Sequence, residues 1–141
     1  MDSNYNPFSL VGKTILVTGA SSGIGQATAI ECSRMGAKLI ITGRNVDRLQ
    51  ETFAQLEGDG HVQIVADLTN ADDLKSLADA CPDINGVVLC AGKGILLPLQ
   101  FCDQEKFRGV FETNFFSPVE TLRLLSKKKK IIKGGAVVDT T

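Results

Sequence analysis

Short runs of consecutive apolar residues alternate along this chain with longer stretches in which apolar residues recur every three or four positions. The short runs are typical of strands that are buried on both faces, whereas the longer stretches are typical of helices with one buried face. The apolar runs predict five strands, at 13–18, 38–42, 62–66, 86–90 and 136–140. The helical pattern predicts four helices, at 23–35, 46–56, 70–80 and 103–129.

This alternation also predicts the fold class. Helices between continuously apolar strands are typical of an α/β protein, because each helix links one parallel strand to the next and covers a face of the sheet. We therefore expect a doubly wound parallel sheet that forms one domain over residues 1–141. No helical pattern follows the last predicted strand, so we expect exposed apolar surface around it.

Composition and charge argue against several classes of partner. The formal net charge is −1 and 43% of the residues are hydrophobic, which favours neither a nucleic acid nor a membrane surface as partner. No apolar run is long enough to cross a bilayer. Residues 1–7 contain no basic segment leading into an apolar one, so no secretory signal is predicted and a cytoplasmic location is expected.

The cysteines give no sign of a metal site. Cys32, Cys81, Cys90 and Cys102 form no Cys-x-x-Cys pair, and the single histidine, His61, has no cysteine near it in the sequence. No metal ligand is therefore predicted. Cys32 and Cys90 lie in apolar patterns and are predicted to be small buried side chains, and disulfide bonds are not expected in a cytoplasmic protein.

Residues 18–25, with the sequence TGASSGIG, connect the first predicted strand to the first predicted helix. Gly19 allows a sharp turn, Gly23 allows the backbone to approach a pyrophosphate, and Gly25 allows the helix to pack closely on the sheet. The start of the helix offers N–H groups and a partial positive charge to an anion. The alternative is a tight connection without a ligand. The candidate phosphate-binding residues are Gly19, Ser21, Ser22, Gly23, Ile24 and Gly25.

With Thr18 in front, the Gly-x-x-x-Gly-x-Gly spacing resembles the cofactor fingerprint of the short-chain dehydrogenase/reductase family. The resemblance covers essentially the whole chain but only the first half or so of a typical member. It implies a Rossmann-type sheet, truncated here after strand five, and a nicotinamide dinucleotide cofactor. It further implies hydride transfer between the nicotinamide and a small-molecule carbonyl or secondary alcohol, and a homo-oligomer, either a dimer or a tetramer.

The end of the second predicted strand indicates which dinucleotide is bound. An acid at this place bonds the ribose hydroxyls of NAD, whereas a basic residue accommodates the extra phosphate of NADP. This chain has Gly43 where NAD-preferring relatives carry aspartate, followed by Arg44, whose planar fork suits a phosphate. We therefore predict NADP(H). The alternative is that Arg44 is an ordinary solvent-exposed loop residue.

Two further segments match family positions that contact the adenosine. Asp67-Leu68 matches the place where an aspartate bonds the adenine amino group, although Asp67 could also, or instead, cap the third helix. Leu89-Cys90-Ala91-Gly92 matches a segment that usually reads Asn-Asn-Ala-Gly, so Ala91 and Gly92 agree while Leu89 and Cys90 replace the two asparagines. This departure weakens any role for side chains at Cys90, while the small Ala91 and Gly92 still allow close backbone approach to the ribose.

A proline interrupts the long helical stretch. Pro118 has no N–H and cannot donate to the carbonyl of Asn114 four residues earlier, so we expect the helix to bend there. The resemblance implies that Asn114 belongs to the catalytic set, because the backbone oxygen at this place holds a water in the proton relay. The alternative is a bend that only wraps the helix around the core.

The family's other catalytic residues are a serine just after strand five and a Tyr-x-x-x-Lys pair on the next helix. Neither occurs in residues 1–141, and the only tyrosine, Tyr5, lies near the start of the chain. One hypothesis is the cofactor-binding part of an oxidoreductase, inactive alone, with a 3-oxoacyl-carrier-protein reductase as a more specific version. The other is a non-catalytic dinucleotide-binding module. A serine after Thr141, then Tyr-x-x-x-Lys, would favour the enzyme.

Overall fold

The computed structural model describes residues 5–140, in which one α-helix follows each of the first three strands and two α-helices lie between the fourth and the fifth. The strands are β1 (Thr14–Thr18), β2 (Lys38–Gly43), β3 (Val62–Val65), β4 (Ile84–Leu89) and β5 (Ile131–Asp139). The helices are α1 (Gly23–Arg34), α2 (Val46–Ala54), α3 (Ala71–Ala80), α4 (Gln104–Phe111) and α5 (Ser117–Lys127). All neighbouring strands are parallel, in the order β3-β2-β1-β4-β5, so the predicted doubly wound sheet is confirmed.

Two apolar clusters cover the two faces of this sheet. Successive side chains of a strand point to opposite faces, so Leu16 joins the cluster beneath α3 and α5, whereas its neighbour Val17 joins the cluster beneath α1 and α2. Both side chains are completely buried, as are Leu39 of β2 and Leu49 of α2. The continuous apolar runs in the sequence therefore reflect burial on both faces, as expected for a parallel sheet.

The strand order reverses between β1 and β4, because β2 and β3 lie on one side of β1 while β4 and β5 lie on the other. The connections after β1 and β4 consequently leave the sheet in opposite directions. They open a crevice at the carboxyl ends of the strands, which is the usual ligand-binding place in open α/β sheets.

The predicted helix over 103–129 is wrong as one continuous element. Helix α4 ends at Phe111, a π-helical segment covers Glu112–Phe116, and α5 begins at Ser117. The Ser117 N–H donates to the carbonyl of Glu112, and the Ser117 hydroxyl donates to the same oxygen at 2.7 Å. Because Pro118 cannot supply the next ordinary helical donor, the irregularity falls where the sequence placed a bend.

The last strand is longer than its prediction of 136–140, since β5 begins at Ile131. A register shift in its pairing with β4 falls between Ile84 and Gly86, and Gly134 takes a φ of +81°. A β-bulge of this kind allows pairing to continue past an irregular glycine pair, which the apolar pattern alone did not reveal. The predicted exposed apolar surface is confirmed at Val137 and Val138, which are 46% and 51% exposed.

The cysteines differ in part from their predictions. Cys81 is buried and Cys32 and Cys90 are only half-buried, so the prediction of two small buried side chains at 32 and 90 is wrong. Burial raises the pKa of the Cys81 thiol to about 11. All four cysteines are unpaired thiols.

Among residues 5–140, no helix is both long and apolar enough to span a membrane.

Candidate functional site

A cleft of about 660 Å³ lies at the carboxyl ends of β1, β2, β3 and β4. Eleven of the predicted site residues line this cleft: Gly19, Ser21, Ser22, Gly23, Ile24, Arg44, Asp67, Leu68, Cys90, Ala91 and Gly92. Two predicted site residues, Gly25 and Asn114, do not line it. Segments that are far apart in the sequence therefore meet at one edge of the sheet, because parallel strands end at the same edge.

The space around the three glycines of the turn differs from one position to the next. A Cβ on Gly19, whose φ is +62°, would lie 2.6 Å from the backbone nitrogen of Ala91. A Cβ on Gly25 would lie 2.2 Å from the carbonyl oxygen of Gly19, so Gly25 allows the close packing that the sequence predicted rather than contacting the cleft. Gly23, with a φ of +56°, has nothing within 4 Å of such a Cβ. The cleft is thus open toward the first residue of α1.

The start of α1 presents backbone donors to the cleft. Ser22 precedes the helix, and its side chain makes no capping hydrogen bond. The first N–H groups of an α-helix have no partners within the helix and carry the positive end of its dipole. Together with the open space at Gly23, this arrangement fits an anion such as a pyrophosphate.

Thr18 joins the turn to the end of β4. Its side chain is buried, and its hydroxyl oxygen accepts hydrogen bonds from the backbone N–H groups of Cys90 (3.1 Å) and Ala91 (3.3 Å). These bonds fix the two backbone walls of the cleft relative to each other. Cys90 takes part in this contact through its backbone N–H.

The end of β2 is shaped by the absence of a side chain at Gly43. A Cβ there would lie 3.0 Å from the hydroxyl oxygen and 3.2 Å from the Cβ of Ser21. A larger residue, including aspartate, would have to displace Ser21 from this position. The next residue, Arg44, is exposed and lines the cleft, together with Asn45 and Arg48.

Asp67 lies at the opposite side of the cleft from the turn. The hydroxyl of Thr69 donates to its carboxylate at 2.7 Å and the Thr69 backbone N–H donates to the same oxygen at 2.9 Å. These two bonds, and more weakly the positive charge of Arg44, hold the pKa of Asp67 below its ordinary value of 3.8. The alternative that Asp67 caps the third helix is wrong, because the side chain of Asn70 accepts the capping bond from Asp73.

Asn114 lies in the π-helical segment and holds the loop that follows β4. Its side-chain oxygen accepts from the backbone N–H of Lys93, and its side-chain nitrogen donates to the Lys93 carbonyl; both distances are 2.8 Å. Lys93 directly follows Gly92, which lines the cleft. The amide side chain of Asn114 therefore positions the cleft wall from outside.

Several lining residues were missed by sequence reasoning. The structure adds Gly43, Asn45, Arg48, Ala66, Thr69, Thr113 and Ser117 to the wall of the cleft. Arg48 could have been found as a second basic residue close after Arg44 at the start of the second predicted helix. Thr113 and Ser117 could not, because no pattern in their own segment relates them to the glycine-rich turn. Residues 5–140 contain no cluster of three or more histidine, cysteine or acidic side chains that could hold a metal ion.

Comparison with known proteins connects this geometry to one family. A family model described as short chain dehydrogenase matches residues 13–141, which includes every strand and helix of the described structure. The chain belongs to the short chain dehydrogenase family. The predicted family membership is therefore confirmed, and with it a nicotinamide dinucleotide as the class of cofactor, whose pyrophosphate the start of α1 fits.

Named relatives of the family are identical to this chain at about a third of the aligned positions. A glucose 1-dehydrogenase of Gluconobacter oxydans is 37% identical over 110 residues, covering 73% of this chain and 41% of the relative. A short chain dehydrogenase of Claviceps purpurea is 33% identical over 143 aligned positions, covering 94% of this chain and 54% of the relative. The chain thus spans about half the length of these relatives.

Solved structures give the same result for the fold. A dehydrogenase/reductase from Sinorhizobium meliloti superposes with a TM-score of 0.85 at 30% identity, covering 94% of this chain and 54% of that protein. A citronellol catabolism dehydrogenase from Pseudomonas aeruginosa superposes with a TM-score of 0.83 at 28% identity, covering 99% of this chain and 59% of that protein. The chain therefore shares the Rossmann-type fold of these proteins and spans a little over half of their length.

Proposed function

We propose that the cleft binds NADP(H) and that the chain is the cofactor-binding part of an NADP(H)-dependent oxidoreductase acting on a carbonyl or secondary alcohol. The observation that carries this proposal is the end of β2, where a glycine whose Cβ would press against the Ser21 side chain is followed by an arginine lining the cleft. The proposal therefore concerns the identity of the dinucleotide first and the reaction second.

The chemistry at this position separates the two dinucleotides. A carboxylate at position 43 would favour NAD by bonding the ribose hydroxyls and would repel a 2′-phosphate. Gly43 supplies no such charge, and the contact with Ser21 leaves little room for one. The guanidinium of Arg44 can donate two parallel hydrogen bonds to a phosphate, which are among the stronger polar contacts in proteins.

The remaining lining residues have complementary tasks in this proposal. The turn around Gly23 and the first N–H groups of α1 hold the pyrophosphate. Asp67 and Leu68 receive the adenine, and the backbone of Ala91 and Gly92 approaches the adenosine ribose. Asn114 keeps that backbone in place through Lys93. The bound dinucleotide supplies the hydride chemistry, whereas these residues bind and orient it.

The substitution Arg44→Ala tests the choice of dinucleotide. Loss of a charged phosphate contact is expected to weaken NADP⁺ binding by about 10- to 100-fold, with NAD⁺ affinity nearly unchanged. Isothermal titration calorimetry with both dinucleotides gives the two constants. Arg34→Ala is the matched control, because Arg34 pairs with Glu31 and Glu57 and does not line the cleft. An equal loss for NADP⁺ and NAD⁺ would contradict the proposal.

We further propose that residues 1–141 bind the dinucleotide without turnover, since they contain no Tyr-x-x-x-Lys pair to exchange the proton of the hydroxyl group. NADPH oxidation by this chain against a panel of ketones is expected to stay at background. Turnover at ordinary enzyme rates would contradict this.

The relatives' names differ in substrate, so the assignment as a 3-oxoacyl-carrier-protein reductase remains a prediction. The homo-oligomer and the cytoplasmic location remain predictions as well.

A further inference from the structure

A second arginine, Arg48, lines the same cleft as Arg44 and lies in the first turn of α2. The side chain of Asn45 caps this helix by accepting from the Arg48 backbone N–H at 3.0 Å. Arg44 precedes the capping residue Asn45 and Arg48 follows it, and both line the cleft. The wall of the cleft beyond β2 thus carries two guanidinium groups.

The backbone of Arg48 is fixed against the glycine-rich turn. The hydroxyl of Thr52, a completely buried residue, lies 2.9 Å from the carbonyl oxygen of Ala20 and 3.2 Å from that of Arg48. The side chain of Gln26, in α1, donates to the same hydroxyl at 3.1 Å. These hydrogen bonds therefore fix the start of α2 relative to the glycine-rich turn.

The charges of the two arginines are not neutralised by ion pairs. In the part of the chain that the structure describes, Arg34 and Arg123 each pair with glutamates, whereas neither Arg44 nor Arg48 lies within 4.0 Å of a carboxylate oxygen. Asp67, which follows the neighbouring strand β3, is close enough to Arg44 to interact by charge but not to form an ion pair. Two unpaired guanidinium groups beside a capped helix start make this wall attractive to a dianion.

We propose that Arg48 is a second specificity-determining residue, which holds the 2′-phosphate of the dinucleotide together with Arg44. This inference rests on the proposed binding of NADP(H). A phosphate monoester carries close to two negative charges and three acceptor oxygens at neutral pH, so one guanidinium leaves part of its charge and acceptors unmatched. Arg48, whose backbone is already ordered, supplies the missing donors with little further loss of backbone freedom.

The test compares Arg48→Ala and Arg48→Lys with Arg44→Ala and the control Arg34→Ala. Binding of NADP⁺, NAD⁺ and adenosine 2′,5′-bisphosphate to the 141-residue chain is measured by calorimetry. Arg48→Ala is expected to weaken NADP⁺ and the bisphosphate by about tenfold while NAD⁺ changes by less than about twofold. Arg48→Lys is expected to recover part of the loss, because a lysine keeps the charge but not the planar fork.

The outcomes separate this inference from the function on which it rests. If the wild type prefers NADP⁺, and Arg44→Ala removes the preference while Arg48→Ala leaves it intact, the role of Arg48 is overturned and the NADP(H) proposal stands. If the wild type does not prefer NADP⁺ over NAD⁺, or binds neither, both are overturned. Unchanged thermal unfolding of Arg48→Ala shows that a loss of binding does not come from a loss of folding.

Discussion

The glycine-rich turn is closely packed, whereas the interrupted helix α4–α5 exposes large apolar side chains. In the turn, Gly19 and Gly25 leave no room for a side chain, because neighbouring backbone fills the space. Along the helix, the large side chains Phe107, Phe111, Phe115, Phe116 and Val119 are between 41% and 59% exposed. Close backbone packing therefore requires glycine in the turn, whereas the helix carries apolar surface that residues 5–140 do not cover.

The interrupted helix nevertheless has a buried side. Leu125 and Thr121 of α5 are 1% and 2% exposed and face α3 and the sheet. The interrupted helix thus has one apolar side that is buried and a second apolar side, formed by the phenylalanines, that is exposed. Regular spacing of apolar residues therefore predicts a helix more securely than it predicts which of its faces are buried.

The largest expected effect comes from exchanging a residue on the buried face of α5. Leu125→Ala is expected to lower the free energy of unfolding by about 3 kcal/mol, because it removes buried methyl groups and leaves a cavity. Phe111→Ala, on the exposed face, is expected to change it by less than about 1 kcal/mol at low protein concentration. Urea unfolding measures both.

The same pair of variants tests whether the two faces of the helix differ in exposure in solution. If Phe111→Ala costs as much as Leu125→Ala in dilute solution, the exposed face is not exposed in solution. A cost for Phe111→Ala that rises with protein concentration would instead show that self-association covers that face.

A smaller effect is expected in the turn. Gly25→Ala places a methyl group against the carbonyl of Gly19, and the required backbone shift is expected to cost about 2 kcal/mol in unfolding free energy. The matched control is Gly94→Ala, because a Cβ at Gly94 meets nothing within 4 Å. Chemical denaturation of both variants is the measurement. Equal stability of the two would mean that the turn is not as tightly enclosed as described.

The smallest expected effect concerns Asp67, at the far side of the cleft from the turn. Its pKa lies below 3.8 in the folded protein, so its contribution to stability is present above the unfolded-state pKa and is lost as the pH falls through the folded value. Thr69→Val removes the O–H donor, and NMR titration of Asp67 is expected to show a higher midpoint. An unchanged midpoint would show that the Thr69 hydroxyl does not hold this carboxylate.

Much of the fold followed from local sequence signals. Continuous apolar runs identified β1 to β4, and the recurring apolar spacing identified α1, α2 and α3. Family resemblance and glycine spacing together predicted eleven residues that line the cleft. These signals succeed because burial, capping and positive φ angles each restrict residue type at a single position, which can be read without knowing distant neighbours.

The tertiary structure decided the features that depend on distant partners. The clamp between Asn114 and Lys93 and the pairing that lengthens β5 arise where distant segments meet. The hydroxyl of Thr52 likewise connects the backbone of Arg48 to that of Ala20 in the turn. The sequence by itself therefore determined the elements, the glycine-rich turn and the family, because those depend on local geometry. Which side chains share the cleft was decided by packing across the edge of the sheet.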